Sequence, residues 1–303
     1  MAESFPELNI VLFNVDSSDG KVTAPDRQHC MEEILDTVLA ENYPNLFVFS
    51  QDKINGPKHK ILCKKLGQDP KSFRCMSEAG VYHRPDSDVD SYDVSYVDVA
   101  TLQQLDSRMG LEPNNPFTTA RLVACVLTPR GGGRNGKKIL LVSWHGPLKS
   151  KEKGACFRRL VRFSERLRRR EGCEHRSPSC QCCDIAIIGG DFNMSDRDAQ
   201  REMVTLKTSD RMDGTVLGNY TTTDDRRKGR SQECIDYVVY WPKGSVQSTE
   251  ISVLQREFRR EKGNRPFDHP IVLYRFGDAF RDLAQQFGNI TLDDEQRESE
   301  SGR

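Results

Sequence analysis

Asp184-Ile185-Ala186-Ile187-Ile188-Gly189-Gly190-Asp191-Phe192-Asn193 is the stretch on which the reading of this chain turns. Its apolar part is short, unbroken and bounded by turn-forming residues, which is how a strand buried on both faces looks in sequence. The run ends in two glycines and then delivers a carboxylate, Asp191, and an amide, Asn193. Asn or Asp after a strand is ordinarily turn chemistry. The polar end gains functional meaning only if other strands of the chain do the same.

They do. Leu8 to Phe13 reads as a buried strand and is followed by Asn14. Asn45 to Ser50 is a second, followed by Gln51 and Asp52, and Ile139 to Trp144 precedes His145. Asp236 lies inside the otherwise apolar strand Cys234 to Trp241, and Asp268 and His269 stand before the strand Pro270 to Tyr274. Further strands are expected at Glu78 to His83, at Ser248 to Leu254 and at a sheet edge within Asp86 to Asp98. Ala120 to Thr128 and Lys138 to Ser143 form a pair, joined by a Gly-rich hairpin turn at Gly131 to Gly136. Helices are expected at Arg27 to Glu41, where Cys30, Ile34, Leu35, Val38 and Leu39 share a face, and at Lys58 to Leu66, Cys156 to Arg170 and Asp278 to Phe287. The opening order of strand, helix and strand predicts two neighbours in one sheet. No repeat or linker interrupts the chain. One domain is expected over residues 1–288, with a polar, mostly acidic and disordered tail over 289–303.

Composition narrows the classes. The 303 residues are 36% apolar and 30% charged, with a formal net charge of zero. Any attraction to nucleic acid must therefore come from local patches. No apolar run approaches the ~18 residues of a membrane helix, and Met1 to Glu7 lacks the pattern of a secretory signal. An intracellular, reducing compartment is expected. The ten cysteines fit it, because Cys63, Cys125, Cys156 and Cys234 sit in apolar patterns where a thiol acts as a small hydrophobe.

Acids, amides and imidazoles gathered at strand ends suit a hard cation together with acid–base chemistry. A buried Asp236 would be costly without a partner or a cation. Here the motifs become specific. Phe13-Asn14-Val15-Asp16, Phe49-Ser50-Gln51-Asp52, Ser143-Trp144-His145-Gly146, Gly190-Asp191-Phe192-Asn193, Cys234-Ile235-Asp236-Tyr237-Val238 and Phe267-Asp268-His269-Pro270-Ile271-Val272 occur in that order across almost the whole chain. The set resembles the endonuclease/exonuclease/phosphatase superfamily, in which deoxyribonucleases, inositol phosphatases and neutral sphingomyelinases are found. The resemblance implies a DNase I-like, four-layer α/β sandwich: two packed, mostly antiparallel β-sheets flanked by helices.

It also implies a Mg²⁺- or Mn²⁺-dependent hydrolysis of a phosphoester. Asp52 and Asp268, with Asn14, would bind the cation, which polarises a phosphoryl oxygen. Asp191 would orient or deprotonate the attacking water, and Asn14, Asn193 and His145 would hold the phosphate. His269 would act on the transition state or as acid or base, oriented by Asp236. Glu78 is a candidate partner for His145. One departure from the family pattern stands out, since Asp52 occupies the place of the metal-binding Glu. A side chain one methylene shorter moves coordination or makes it water-mediated. Reduced activity, a shift toward Mn²⁺ or Ca²⁺, and loss of activity are all open; an enzyme is expected because the surrounding Asp, Asn and His positions are intact.

The substrate is less legible. Nucleic acid is favoured, with inositol phosphates or phospholipids as the alternative, and a silent binding protein on the same fold as the third reading. Arg158, Arg159, Arg162, Arg166, Arg168, Arg169 and Arg170 line one helix face, read as a solvated face with backbone docking as the alternative. Arg226, Arg227, Lys228 and Arg230, in a loop just before the Asp236 strand, are better placed to touch substrate, with phosphate contact and a solvated loop as equal readings. Cys173, His175, Cys180, Cys182 and Cys183 have the ligand types of a structural zinc site, but their irregular spacing favours an insertion with reduced thiols. Asn55 to Arg74, Val99 to Phe117 and Ser209 to Gln232 are taken as the substrate-defining loops.

Overall fold

The strand Leu8–Phe13 (β1) shows how the layers arise. Leu8, Ile10 and Leu12 point to one side and Val11 and Phe13 to the other, and both sides are buried. Ile185–Asp191 (β7) does the same, with Ile185 and Ile187 on one face and Ala186 and Ile188 on the other. Period-two alternation with apolar residues on both faces requires a covering layer on each side. A computed structural model of the chain shows those layers. It describes residues 7–14, 24–41, 43, 45–50, 57–68, 79–83, 92–108, 121–130, 137–147, 153–169, 182–218, 234–246, 248–254, 269 and 271–277.

The remaining elements are α1 (Ala24–Ala40), β2 (Leu46–Ser50), α2 (Pro57–Leu66), β3 (Gly80–His83), β4 (Tyr92–Tyr96), α3 (Val99–Arg108), β5 (Leu122–Pro129), β6 (Ile139–His145), α4 (Lys153–Arg169), α5 (Asp196–Asp210), β8 (Thr215–Leu217), β9 (Asp236–Trp241), β10 (Ser248–Val253) and β11 (Val272–Gly277). One sheet has the order β10-β11-β1-β2-β3 and the other β4-β5-β6-β7-β9-β8. Among the described residues β1–β2 and β6–β7 pair in parallel, and the other pairs are antiparallel. The expected four-layer, mostly antiparallel sandwich is therefore the observed fold. β1 and β2 are the neighbours that the strand–helix–strand opening predicts.

Three apolar clusters fill the spaces between layers. Leu8, Ile10, Leu12, Phe47 and Phe49 of the first sheet meet Leu141, Ile185, Ile187 and Val238 of the second. Val11, Phe13 and Val48 pack under Ile34, Leu35 and Val38 of α1 and Leu62 of α2. Leu140, Val142, Ile188 and Val239 pack under α4 and α5. A fully buried Leu or Phe contributes roughly 1.5–3 kcal/mol, so these clusters outweigh any single ion pair on the surface.

Several expectations need correction. Val99 to Phe117 does not begin as a loop, because Asp98 caps α3: its carboxylate accepts from the Thr101 N–H and hydroxyl at 2.7 Å each. Those bonds hold the Asp98 carboxyl below the usual range. Asn55 to Arg74 holds α2, which is the helix expected at Lys58 to Leu66, while Ser209 to Gln232 contains the strand β8. The arginine face of α4 is drawn into pairing. Arg158 pairs with Glu202 of α5, and Arg162 donates to Asp210 at 2.8 Å. Arg168 and Arg169 both bond Glu165. The first two pairs tie α4 to α5, and the three carboxylates offset part of the charge that phosphate docking would use.

The hairpin turn 131–136, the helix 278–287 and the tail 289–303 lie outside the described residues. So do Arg226, Arg227, Lys228 and Arg230. Among the described residues no helix is long and apolar enough to cross a membrane.

Candidate active site

Strand register builds the site. In the second sheet His145 of β6 lies opposite Asp191 of β7, and Asp191 lies opposite Asp236 of β9. The three stand side by side across three adjacent strands. Each is in phase with residues that face the first sheet: Ile139 and Leu141 for His145, Ile185 and Ile187 for Asp191, Val238 and Tyr240 for Asp236. On β1, Asn14 continues the phase of Leu8, Ile10 and Leu12. The polar residues thus continue the inter-sheet core to its rim, where apolar filling gives way to chemistry.

Asp236 is the hub. It is 2% exposed, and its two oxygens engage two different elements. Oδ1 accepts from Asn14 Nδ2 at 3.4 Å, and Oδ2 lies 2.7 Å from His269 Nδ1. A carboxylate against imidazole orients the ring and fixes which nitrogen carries the proton. Ligand atoms of Asp191, Asp236 and His269 all lie within 4.8 Å of one another, the one such group of three among the described residues. Two carboxylates at that spacing, with an imidazole and an amide beside them, suit a divalent cation that keeps several waters.

The turn after β7 is held from several sides. Asp191 is the last residue of the strand and not a turn residue, because the ladders to β6 and β9 run through it. Its Oδ1 accepts from the Asn193 N–H at 2.6 Å. Asn193 takes φ of 50°, a left-handed conformation that asparagine tolerates. Its Nδ2 donates to Gly146 O at 2.8 Å, while the Gly146 N–H donates to Asp191 O at 2.6 Å. Ser195 then caps α5, accepting from the Asp198 N–H at 3.1 Å. Beneath the turn, Phe192 stacks on Tyr237 with centroids 4.1 Å apart. Burial pushes the Tyr237 hydroxyl well above its usual pKa, with nearby Cys234, Asp196 and Asp191 adding to the effect. Burial thus keeps the Tyr237 ring neutral beneath the turn.

Asn14, His145, Asp191, Asn193, Asp236 and His269 are therefore found at one end of the sandwich. Asp52, Asp268 and Glu78 lie outside the described residues, though Ser50, which ends β2, is in register with Phe13 just before Asn14. Cys173, His175 and Cys180 also lie outside them. Of their neighbours, Cys182 donates to the Arg169 carbonyl and Cys183 is buried. None of the cysteines among the described residues forms a disulfide. The Ser195-Asp196-Arg197-Asp198 cap is a legible signature that the strand-end reading passes over. Gly146 and Arg121 gain their places only through tertiary contacts.

No family model and no curated protein matches the sequence. Solved structures do match. An endonuclease/exonuclease/phosphatase from Bacteroides vulgatus superposes with a TM-score of 0.53 at 15% identity, covering 90% of this chain and 99% of that one. A family protein from Bacteroides thetaiotaomicron gives 0.53 at 13% identity, over 89% and 97%. The human Nocturnin catalytic domain with bound sulfate gives 0.50 at 13% identity, over 90% and 94%. Two packed sheets in this strand order, with layers of helices outside them and Asn14, His145, Asp191, Asn193, Asp236 and His269 at one rim, identify the chain's fold as that of the endonuclease/exonuclease/phosphatase superfamily.

Proposed function

We propose that the chain is a Mg²⁺- or Mn²⁺-dependent phosphoester hydrolase, with phosphodiesters of nucleic acid as the favoured substrate. The observation that carries this reading is the Asn14–Asp236–His269 chain of contacts beside Asp191, at the rim between the sheets. The bound sulfate of the Nocturnin structure fits it, since sulfate and phosphate share charge and shape.

In this reading Asp191 takes the proton of the attacking water. The Asn193 N–H on its Oδ1 keeps that carboxylate turned toward the reacting centre. Asn14, Asn193 and His145 hold the phosphoryl oxygens. His269, oriented by Asp236, stabilises the charge of the transition state and supplies a proton to the leaving oxygen. Water's oxygen bonds to phosphorus as the bond to the ester oxygen breaks and that oxygen leaves with the His269 proton; Asp191 then gives its proton to solvent and His269 takes one back, which restores the protein. A divalent cation held by Asp52, Asp268 and Asn14, with Asp191 and Asp236 nearby, would supply Lewis-acid stabilisation of the phosphoryl charge.

The test is a cleavage panel with Mg²⁺ or Mn²⁺ across single-stranded DNA, duplex DNA, RNA, inositol phosphates and sphingomyelin. Cleavage of a nucleic acid that EDTA stops and added cation restores supports the proposal. Turnover confined to inositol phosphate or sphingomyelin moves the substrate class. Silence on every substrate leaves the fold and overturns the enzyme, consistent with Asp52 having cost the site its cation.

A further inference from the structure

Arg121 is absent from every motif, yet it lies at the same rim. It immediately precedes β5, and its carbonyl accepts from the His145 N–H at 2.9 Å. Its side chain turns back on the same segment: Nη1 donates to His145 O at 3.3 Å and to Gly146 O at 3.0 Å. We propose that Arg121 is a positioning residue for the site, clamping His145–Gly146 and, through the Gly146 carbonyl, the amide of Asn193. This inference rests on the hydrolase reading for its catalytic consequence, though not for the contacts themselves.

Gly146 is where the contacts meet. Its carbonyl accepts from two donors, Arg121 Nη1 and Asn193 Nδ2 at 2.8 Å, which matches the two lone pairs of that oxygen. Its N–H donates to Asp191 O. No Cβ could be added, because it would fall 2.3 Å from Phe192 O. The segment is therefore pressed against the Asp191–Asn193 turn on one side and gripped by a guanidinium on the other. Charge-assisted hydrogen bonds are about twice as strong as neutral ones, so Arg121 is the firmest tie on this carbonyl. Fixing Nδ2 of Asn193 fixes the plane of its amide and with it the direction of Oδ1. The same guanidinium acts on α4: burial pushes the Cys156 thiol up to about 11, with Arg159 and Arg121 drawing it back.

A lysine keeps the charge but lacks the planar fork, and a glutamine keeps neither reach nor charge. Arg121→Gln is expected to lower kcat about tenfold on the substrate found by the cleavage panel, with KM within about twofold, because the loss is in geometry and not in binding. Arg121→Lys is expected to recover part of kcat. In amide hydrogen exchange by NMR, Arg121→Gln should expose the Gly146 N–H faster than wild type, while Leu141 and Ile187 in the core keep their protection. Wild-type rates and wild-type Gly146 exchange in both variants overturn the proposal. A raised KM with unchanged kcat overturns it too, making Arg121 a substrate contact. Faster exchange throughout the core assigns Arg121 to general stability and likewise overturns it. If the wild type cleaves nothing, the hydrolase reading fails, and Gly146 exchange still decides whether Arg121 sets the rim.

Discussion

Asp236 Oδ2 and His269 Nδ1 lie 2.7 Å apart, although the residues are separated by 33 positions, Asp236 opening β9 of the second sheet and His269 standing just before β11 of the first. That contact joins the two halves of the sandwich at its chemical end. Replacing Asp236 with Asn keeps the shape and removes the charge. In a comparable carboxylate–imidazole pair of a serine protease, the same change costs about 10⁴ in kcat. Asp236→Asn is expected to lower kcat by roughly 10³-fold or more with far-UV circular dichroism unchanged. A variant with more than a tenth of wild-type kcat removes His269 from the chemistry.

Gly190 precedes the Asp191–Asn193 turn with φ of 141°, and an added Cβ would fall 2.0 Å from the Trp144 carbonyl oxygen. Neither the backbone angle nor the neighbouring ladder can relax cheaply. Gly190→Ala is expected to cost roughly 3 kcal/mol or more. Urea unfolding reads it as a lower midpoint at an unchanged slope.

Glu165 anchors α4 to the second sheet. It accepts from Arg168 Nε at 2.6 Å and from Trp241 Nε1 at 2.7 Å, and it also bonds Arg169. Burial alone would raise its pKa, but the hydrogen bonds from Arg168, Trp241 and Arg169 outweigh burial and hold it below the usual 4.5. A depressed carboxyl contributes stability that is complete above its unfolded pKa and is lost as pH falls through the folded value. Glu165→Gln is expected to cost about 3 kcal/mol at pH 7. Thermal melts of the two proteins should converge as the pH falls well below 4.5. A constant gap across that range contradicts the assignment.

Asp52 tests the metal assignment from the sequence side. Restoring the methylene with Asp52→Glu should raise kcat/KM with Mg²⁺ and narrow any preference for Mn²⁺, because Mg²⁺ tolerates poor octahedral geometry badly. Titrating each cation against cleavage rate measures this. An unchanged Mg²⁺ dependence shows that position 52 does not hold the cation.

The strands were legible because both faces are buried: β1 runs from Leu8 to Phe13, the range its apolar run predicts. The short or polar elements were not. α5 buries only Ala199, Met203 and Leu206 among fifteen residues, and α3 buries Leu102 and Leu105, too few to stand out as periodicity. β8 has three residues, and its partner β9 defines it. At the site, residue types at strand ends were visible in sequence. Their alignment was not, because the register that sets His145 beside Asp191 and Asp191 beside Asp236 is a property of pairing. Gly146 acts through its backbone and Arg121 through side-chain bonds to backbone carbonyls, and no sequence pattern marks such partners.

The most direct test is single-turnover cleavage of a 5′-labelled oligonucleotide by wild type and Asp191→Ala at equal concentration, with Mg²⁺ and with EDTA. Asp191→Ala should lose at least about 10³-fold in rate, and wild type in EDTA should fall to background. A variant that cuts as fast as wild type, or a wild type indifferent to EDTA, contradicts a cation-assisted reaction at the Asp191–Asp236–His269 rim.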